Sequence, residues 1–158
     1  MIVQVEKKEL REQIMNACIE QQQLLMNDFS QRIKTLLTNQ DQQNKPDEGN
    51  SKREVIKQHF DEVDLLSDAL IFAQLEMNRL QYLKSVNHMD HNKVELGAIV
   101  ITDVNTIFVS SMVDPFRFHG ENVLCISTES TLFNKMKGKK KGEMFFHDKE
   151  AHVIRDVF

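Results

Sequence analysis

The placement of glycine and proline constrains the fold of this chain more than any other feature of its sequence. The chain has five glycines and two prolines among 158 residues. Only Pro46 and Gly49 occur before residue 97, and all the others lie between residues 97 and 142. Because these residues break regular backbone structure, their spacing predicts two long helices joined by one sharp turn, followed by a short domain rich in turns.

Composition and charge exclude several classes of function. Hydrophobic residues make up 41% of the chain and charged residues 28%, and the net charge is −4. Neither half is basic, so we expect no autonomous binding to duplex DNA. No apolar run approaches the roughly 20 residues that span a membrane. The first residues also lack the pattern of a signal peptide, and together these features predict a cytoplasmic protein without membrane association.

Two stretches of the first half carry apolar side chains at three- and four-residue steps, which is typical of amphipathic helices. The regular spacing in the second stretch is that of a coiled-coil seam. Each helix of about 35 residues would be about 50 Å long, and we expect the two to pair as an antiparallel coiled-coil hairpin over residues 1–86. The apolar positions are Leu10, Ile14, Ala17, Cys18, Leu25, Phe29, Ile33 and Leu36, then Ile56, Phe60, Val63, Leu66, Leu70, Ala73, Met77 and Leu80.

The segment that joins these helices, residues 39–51, is predicted to be the exposed tip of the hairpin. Its only residue of apolar character is Pro46. Three carboxylates, Asp41, Asp47 and Glu48, lie there with a single lysine. Acidic residues are common in exposed turns and at helix N-termini, so their presence alone does not indicate a binding site.

From residue 94 onward the apolar pattern predicts strands instead of long helices. The runs 94–103 and 106–110 are rich in β-branched residues and predict a β-hairpin, and residues 122–127 predict a third strand. Residues 130–137 predict a short helix that Ser130 caps and Gly138 ends. Two further strands, 143–147 and 151–158, complete a small, mainly antiparallel α+β head over residues 94–158, which a polar linker, 87–93, joins to the hairpin.

Few groups in this chain are arranged for chemistry. His88 and His91 have a spacing that can bind a metal, but they lie in the linker without a third ligand. The lysines at 139–141 stand between two glycines without the spacing of a phosphate-binding loop, and they suit a solvated turn, an acidic protein surface or a phosphate backbone. Cys18 and Cys125 form no CxxC pair and are predicted to be free thiols packed as small hydrophobic groups. The sequence therefore does not predict a self-contained enzyme.

The order of a helical hairpin and a small head resembles the Gre transcript-cleavage factors of bacteria. Residues 94–100 (VELGAIV) look like the first strand of the head in that family, and residues 153–158 (VIRDVF) resemble its closing strand. Residues 126–143 (ISTESTLFNKMKGKKKGE) look like its signature, a short helix followed by a Leu-x-Gly-Lys-Lys-x-Gly-Asp turn. Thr131 replaces the usual proline of that signature and Met136 its usual leucine.

The resemblance implies a transcription elongation factor with an FKBP-like head that docks on bacterial RNA polymerase. The coiled coil would enter the secondary channel and present Asp41, Asp47 and Glu48 to a Mg²⁺ shared in the polymerase active centre. The polymerase would then cleave the 3′ end of its own backtracked RNA, so the protein would hold no metal stably and would not itself be an enzyme. The head residues that would dock are Ser127, Ser130, Leu132, Phe133, Gly138, Lys139, Lys140 and Gly142.

The chain departs from the family at the tip. The family motif, approximately Gly-Asp-Leu-x-Glu-Asn-Ala-Glu-Tyr, is replaced by residues 45–54 (KPDEGNSKRE). Stimulation of RNA cleavage and simple modulation of the polymerase therefore both remain open.

Two functions from other classes also fit the sequence. One is a coiled-coil adaptor or dimerisation protein whose head binds another protein, without a role in transcript cleavage. The other is prolyl isomerisation, which requires an aromatic-lined pocket in the head. The aromatic residues available for such a pocket are Phe108, Phe116, Phe118, Phe133, Phe145 and Phe146.

Overall fold

Two long helices begin the chain, as the glycine and proline spacing predicts. A computed structural model of the protein describes residues 2–43 and 50–158, with side chains described for residues 6–39 and 53–158. Helix α1 spans Ile2–Gln43 and helix α2 spans Asn50–Ser85. Within the described residues, neither helix combines the length and the apolar character needed to cross a membrane.

The chain divides into two compact units. The first unit comprises Met1–Gln22 together with Glu76–Phe158, and the second comprises Gln23–Leu75. The first unit thus contains the start of α1, the end of α2 and the whole predicted head. The domain boundaries predicted from the sequence, 1–86, 87–93 and 94–158, follow the change of periodicity instead, and they stay predictions.

The head is a six-stranded mixed sheet with one short helix, so the chain is α+β. The strand order is β3-β4-β2-β1-β6-β5. Four of the five pairings are antiparallel, and only β2 and β4 run parallel. The elements are β1 (Ile99–Thr102), β2 (Thr106–Val109), β3 (Val113–Phe118), β4 (Glu121–Ile126), α3 (Thr131–Met136), β5 (Met144–His147) and β6 (Glu150–Val157).

Both faces of the central strands are buried, which explains their nearly continuous apolar sequence. Side chains alternate across a strand, so Phe108 faces one core while Ile107 and Val109 face the other. The first core joins the sheet to the two long helices within the first unit, and the second core lies beneath α3. The buried residues of the first core are Ile14, Met15, Cys18, Leu80, Leu83, Ile99, Phe108, Val113, Val123, Cys125 and Phe158. Those of the second are Val94, Ala98, Val100, Ile107, Val109, Phe133, Met136, Phe145, Ile154 and Val157.

The predicted hairpin of β1 and β2 is confirmed, as are strands β4, β5 and β6, but strand β3 was not predicted. Pro115 lies within β3 and lacks the N–H that a central strand must donate. The structure accommodates it because β3 is an edge strand, paired only with β4, and its register shifts between Val113 and Phe116. Position at the edge of the sheet, which the local sequence does not show, therefore makes this proline compatible with a strand.

A buried arginine links four parts of the first unit. The side chain of Arg11, on α1, is only 3% exposed. Its guanidinium donates hydrogen bonds to the carbonyl oxygens of Phe158 (2.7 Å), Gly97 (2.8 Å) and Asn87 (3.0 Å), and to Oδ1 of Asn87 (3.2 Å). Burial lowers the pKa of Arg11 from its ordinary value, while the charge of Asp90 raises it in opposition. These bonds fix α1 against the segment after α2, the start of β1 and the end of β6.

We expect Arg11→Ala to lower the free energy of unfolding of the first unit by about 2–4 kcal/mol, because it leaves buried carbonyl oxygens without donors. The measurement is urea unfolding followed by circular dichroism. Arg117→Ala is the matched control, since Arg117 is exposed on β3 and its Nε donates a long hydrogen bond to Oδ1 of Asn122 at 3.5 Å. The control should change stability by less than about 0.5 kcal/mol, and equal losses in the two variants would contradict the role assigned to Arg11.

Candidate functional site

Helix α3 is set by one side-chain cap and two buried residues. The hydroxyl oxygen of Ser130 accepts a hydrogen bond from the N–H of Phe133 at 3.1 Å, which satisfies a backbone donor at the start of the helix. Phe133 and Met136 are buried in the second core. The helix ends at Met136, before Gly138, so the predicted start and end of this helix are confirmed.

The segment 138–142, which we call the basic turn, follows α3 and carries three consecutive lysines between two glycines. Gly138 and Gly142 have φ angles of 75° and 89°, in the left-handed region that L side chains rarely adopt. A Cβ at either position would meet no atom within 4 Å. Backbone conformation, and not lack of space, therefore explains the two glycines.

Backbone hydrogen bonds hold the basic turn at both ends. At one end, Gly138 donates to the carbonyl of Val94 at 2.9 Å, and Val94 donates to the carbonyl of Lys139 at 2.8 Å. At the other end, Gly142 donates to the carbonyl of Ile154 at 2.7 Å. Val94 and Ile154 are themselves buried in the second core. The turn is thus fixed without using the lysine ammonium groups.

The predicted docking residues fall into two groups by accessibility. Ser127 and Phe133 are 6% and 5% exposed, and Ser127 Oγ accepts the N–H of Glu129 at 3.3 Å. Because both residues are buried, they can only support the predicted docking surface from the interior of the head. Leu132, Ser130 and Lys139 are half-buried, while Gly138, Lys140 and Gly142 are exposed. The accessible part of the predicted docking set is therefore the basic turn and the start of α3.

The predicted tip, residues 39–51, is described only in part, because residues 44–49 lie outside the described residues. Asp47 and Glu48 belong to residues that the structure does not describe, so their predicted role remains a prediction. Asp41 lies in α1, but its side chain is outside the described part.

The histidines at 88 and 91 are not brought together as a metal site by any contact in the structure. His91 Nδ1 lies 2.8 Å from Glu95 Oε1, and its side chain is almost buried. A Cβ on Gly97 would lie 3.2 Å from His91 Nε2, so this ring packs closely against the chain before β1. His88 is exposed. Among the described residues, no group of three or more His, Cys, Asp or Glu side chains has the arrangement of a metal site.

Strand β6 places His152 beside Asp103, with Nδ1 and Oδ1 3.4 Å apart. The Oδ1 atom of Asp103 also accepts the N–H of Val153 at 3.2 Å. Desolvation raises the pKa of Asp103, but the backbone hydrogen bonds and the charge of His152 outweigh it and lower this pKa below its ordinary value. The carboxylate thus joins the β1–β2 turn to β6, which is a structural role.

The phenylalanines of the head do not line one common pocket, because the sheet separates them. Phe108, with the partly buried Phe116 and Phe118, belongs to the first core. Phe133 and Phe145 belong to the second core, on the other face, and Phe146 is exposed. This distribution gives no support to prolyl isomerisation by the head.

Sequence reasoning missed the buried carboxylate of Glu76. Its Oε2 accepts the N–H of Met112 at 2.6 Å and its Oε1 accepts from Arg79 at 3.1 Å, while the side chain is almost inaccessible. Glu76 therefore holds the loop between β2 and β3 against α2. The only feature of the sequence that could have indicated this burial is the position of Glu76 next to Met77, which lies on the apolar stripe of α2. A charged residue beside an apolar stripe is usually exposed, so this feature does not predict burial.

Sequence reasoning also missed the contact between the two cysteines. Cys18 on α1 and Cys125 on β4 are buried free thiols, as predicted. Their sulfur atoms lie 2.7 Å apart in the first core. Because the residues are separated by 107 positions in the chain, no local motif indicates that they meet.

Comparison with known proteins identifies no family for this chain. No protein-family model matches the chain, and no curated protein matches it significantly. The resemblance to Gre factors therefore stays a prediction, which rests on the order of the elements and on the motif residues quoted above.

Proposed function

We propose that this protein is a Gre-like transcription factor that binds bacterial RNA polymerase through its head and inserts a coiled-coil hairpin into the secondary channel. The observation that carries the proposal is the basic turn. It lies in the segment that resembles the Gre signature, and its backbone is fixed at both ends. Lys140 and Lys141 are exposed and Lys139 is half-buried.

The lengths of the helices suit insertion into a channel. Helix α1 has 42 residues and α2 has 36, so each would be more than about 50 Å long at 1.5 Å per residue. In the proposal the two form the hairpin, residues 1–86, and the head has the FKBP-like fold of the family. The six strands and the single short helix of the head are compatible with that assignment.

The basic turn would recognise an acidic surface at the rim of the channel. Lys139, Lys140 and Lys141 give one short segment three positive charges on a chain of net charge −4. Charges on a fixed backbone bind a complementary surface with a smaller entropic cost than charges on a mobile loop. Phe133 and Ser127 would maintain the shape of this surface without contacting the polymerase.

The tip carboxylates would act on chemistry that belongs to the polymerase. Mg²⁺ prefers hard oxygen ligands, and a weakly held second ion is retained when a carboxylate completes its coordination. Asp47 and Glu48, with Asp41 in support, are the candidates for that role at the RNA 3′ end. The protein would then be a cofactor of cleavage and not itself an enzyme.

We expect the double charge reversal Lys139→Glu/Lys140→Glu to weaken binding to core RNA polymerase by about tenfold or more, because paired charges at an interface become repulsive. The measurement is the Kd from biolayer interferometry with immobilised polymerase at two salt concentrations. Arg117→Glu/Lys149→Glu is the matched control, with the same change of charge at two exposed positions away from the basic turn. The proposal predicts near-native binding for this control. An equal effect of both double variants would assign the binding to net charge alone.

We expect Asp47→Ala/Glu48→Ala to abolish stimulated RNA shortening in stalled elongation complexes while leaving polymerase affinity within about twofold of wild type, because the tip is distant in sequence from the docking residues. Asp61→Ala/Glu62→Ala, on exposed residues of α2, is the control and should retain activity. Binding without any RNA shortening by the wild type would instead identify a modulator that occupies the channel. Unchanged shortening by the tip variant would remove the tip carboxylates from the mechanism.

Exposed apolar residues on α2 favour a second candidate function, dimerisation as a coiled-coil adaptor. Leu65, Phe72 and Leu75 are 71%, 50% and 55% exposed. Their spacing of seven and three residues places them on one stripe of the helix. Leucine and phenylalanine on such a stripe are typical of an interface with a second helix.

The adaptor function predicts that the wild type is a dimer at micromolar concentration and that Phe72→Asp converts it to a monomer, because a carboxylate in an apolar seam is strongly unfavourable. Light scattering after size-exclusion chromatography measures the mass. Leu24→Asp, at an exposed position of α1, is the control and should leave the dimer intact. A monomeric wild-type protein that binds polymerase would exclude the adaptor function.

A further inference from the structure

The contact between the two cysteines is unexplained by the proposed function. Cys18 lies on α1 and Cys125 lies on β4, where Cys125 is paired with Phe108 of β2 and Val113 of β3. Both thiols belong to the first compact unit and to its first core. The arrangement therefore brings two oxidisable groups together from distant parts of the sequence.

We propose that Cys18 and Cys125 are a redox pair that a hydroperoxide converts into a disulfide bond between α1 and β4. The sulfur atoms are 2.7 Å apart, and a disulfide requires about 2.05 Å. The two sulfur atoms therefore need to approach each other by less than about 1 Å. This proposal does not depend on the polymerase function, because neither thiol lies in the predicted docking set or the tip.

The two cysteines differ in accessibility, which assigns the order of reaction. Cys125 is 5% exposed and Cys18 is completely buried, so the oxidant reaches Cys125 first. The hydrogen bond with Cys125, followed by burial, raises the pKa of the Cys18 thiol. Both cysteines are buried, and this low exposure predicts a reaction slower than that of a solvent-exposed thiol.

The chemistry needs one equivalent of hydroperoxide. In the first step the thiolate of Cys125 attacks a peroxide oxygen, so that an S–O bond forms, the O–O bond breaks, and the departing hydroxide becomes water with the thiol proton. In the second step the sulfur of Cys18 attacks the resulting sulfenic acid. The S–S bond forms, the S–O bond breaks, and water leaves with the Cys18 proton. Two thiols and one hydrogen peroxide thus give one disulfide and two waters.

The disulfide would link the first helix to the sheet across 107 positions of sequence. A cross-link of this span restricts the unfolded chain strongly. We expect the oxidised protein to melt at a temperature about 5–10 °C higher than the reduced protein. In a reducing cytoplasm the thiols would stay free, and the bond would form under peroxide stress.

The experiment uses the full-length wild-type protein, reduced and then treated with hydrogen peroxide. After treatment the protein is denatured, alkylated with N-ethylmaleimide and weighed by intact mass spectrometry. We expect the treated protein to lose about 2 Da and to take up no alkylating group, and the untreated protein to take up two. After tryptic digestion, two peptides joined by a disulfide, one containing Cys18 and the other Cys125, identify the bond. Reduction with dithiothreitol should restore both thiols.

Single variants test the order of the two steps. In Cys18→Ser the sulfenic acid on Cys125 has no thiol partner, so dimedone should label it. In Cys125→Ser the remaining Cys18 is fully buried and should be labelled at least about fivefold less at equal times. Cys18→Ala and Cys125→Ala replace these variants if the buried serine hydroxyl prevents folding, which circular dichroism shows directly.

Three results would overturn the proposal. One is a wild-type protein that remains fully alkylated after peroxide treatment while it is still folded. The second is a cross-link that appears only between two chains on a non-reducing gel. The third is a pair of sulfinic acids in place of the disulfide, which would show that the buried sulfurs do not react with each other.

Discussion

The buried guanidinium of Arg11 is the interaction on which the arrangement of the first unit depends. An isolated buried cation costs several kcal/mol, and the cost is offset only when its donors are satisfied. Here the donors reach carbonyl oxygens at Asn87, Gly97 and Phe158. These three acceptors come from the segment after α2, the approach to β1 and the end of β6. A shift of any of these segments would break a hydrogen bond and leave a buried polar group without a partner. The start of α1 is thereby fixed to the sheet, and Ile14, Met15 and Cys18 pack in the first core as a consequence.

With one sheet face packed against the helix ends, the other face positions the proposed docking surface. Phe133 and Met136 anchor α3 on the second core, and backbone bonds to Val94 and Ile154 fix the turn that follows. Apolar burial and backbone hydrogen bonds thus supply the rigidity, and the ammonium groups of the lysines take no part in it. A fixed backbone with uncommitted charges is a sound basis for recognising a protein surface. Because the backbone gives the rigidity and the lysine side chains carry the charge, charge reversal at Lys139 and Lys140 tests binding and not folding.

Much of the fold follows from local pattern. The period of the apolar residues indicates α1 and α2, the β-branched runs indicate β1 and β2, and Ser130 with Gly138 delimits α3, because each signal acts within a few residues. Strand β3 escaped prediction because Pro115 is acceptable only at an edge of the sheet with a shift in register. The parallel pairing of β2 with β4 was also not predictable from local pattern, because β3 lies between these two strands in the sequence. For the candidate site, the sequence indicated the basic turn but not which of its neighbours are buried.

What the sequence determined by itself is the set of elements: two long helices, short strands, one capped helix, and glycines where the backbone turns left-handed. Periodicity and capping are properties of neighbouring residues, and they can be read from neighbours alone. Only the tertiary structure decided that Arg11 and Glu76 are buried, that Cys18 meets Cys125, and that the basic turn is held by Val94 and Ile154. The contacts of Arg11 with Phe158, of Cys18 with Cys125 and of Glu76 with Met112 join residues 147, 107 and 36 positions apart. The physical reason is that a buried charge or thiol is stable only beside a partner, and the folded core determines which partner is near.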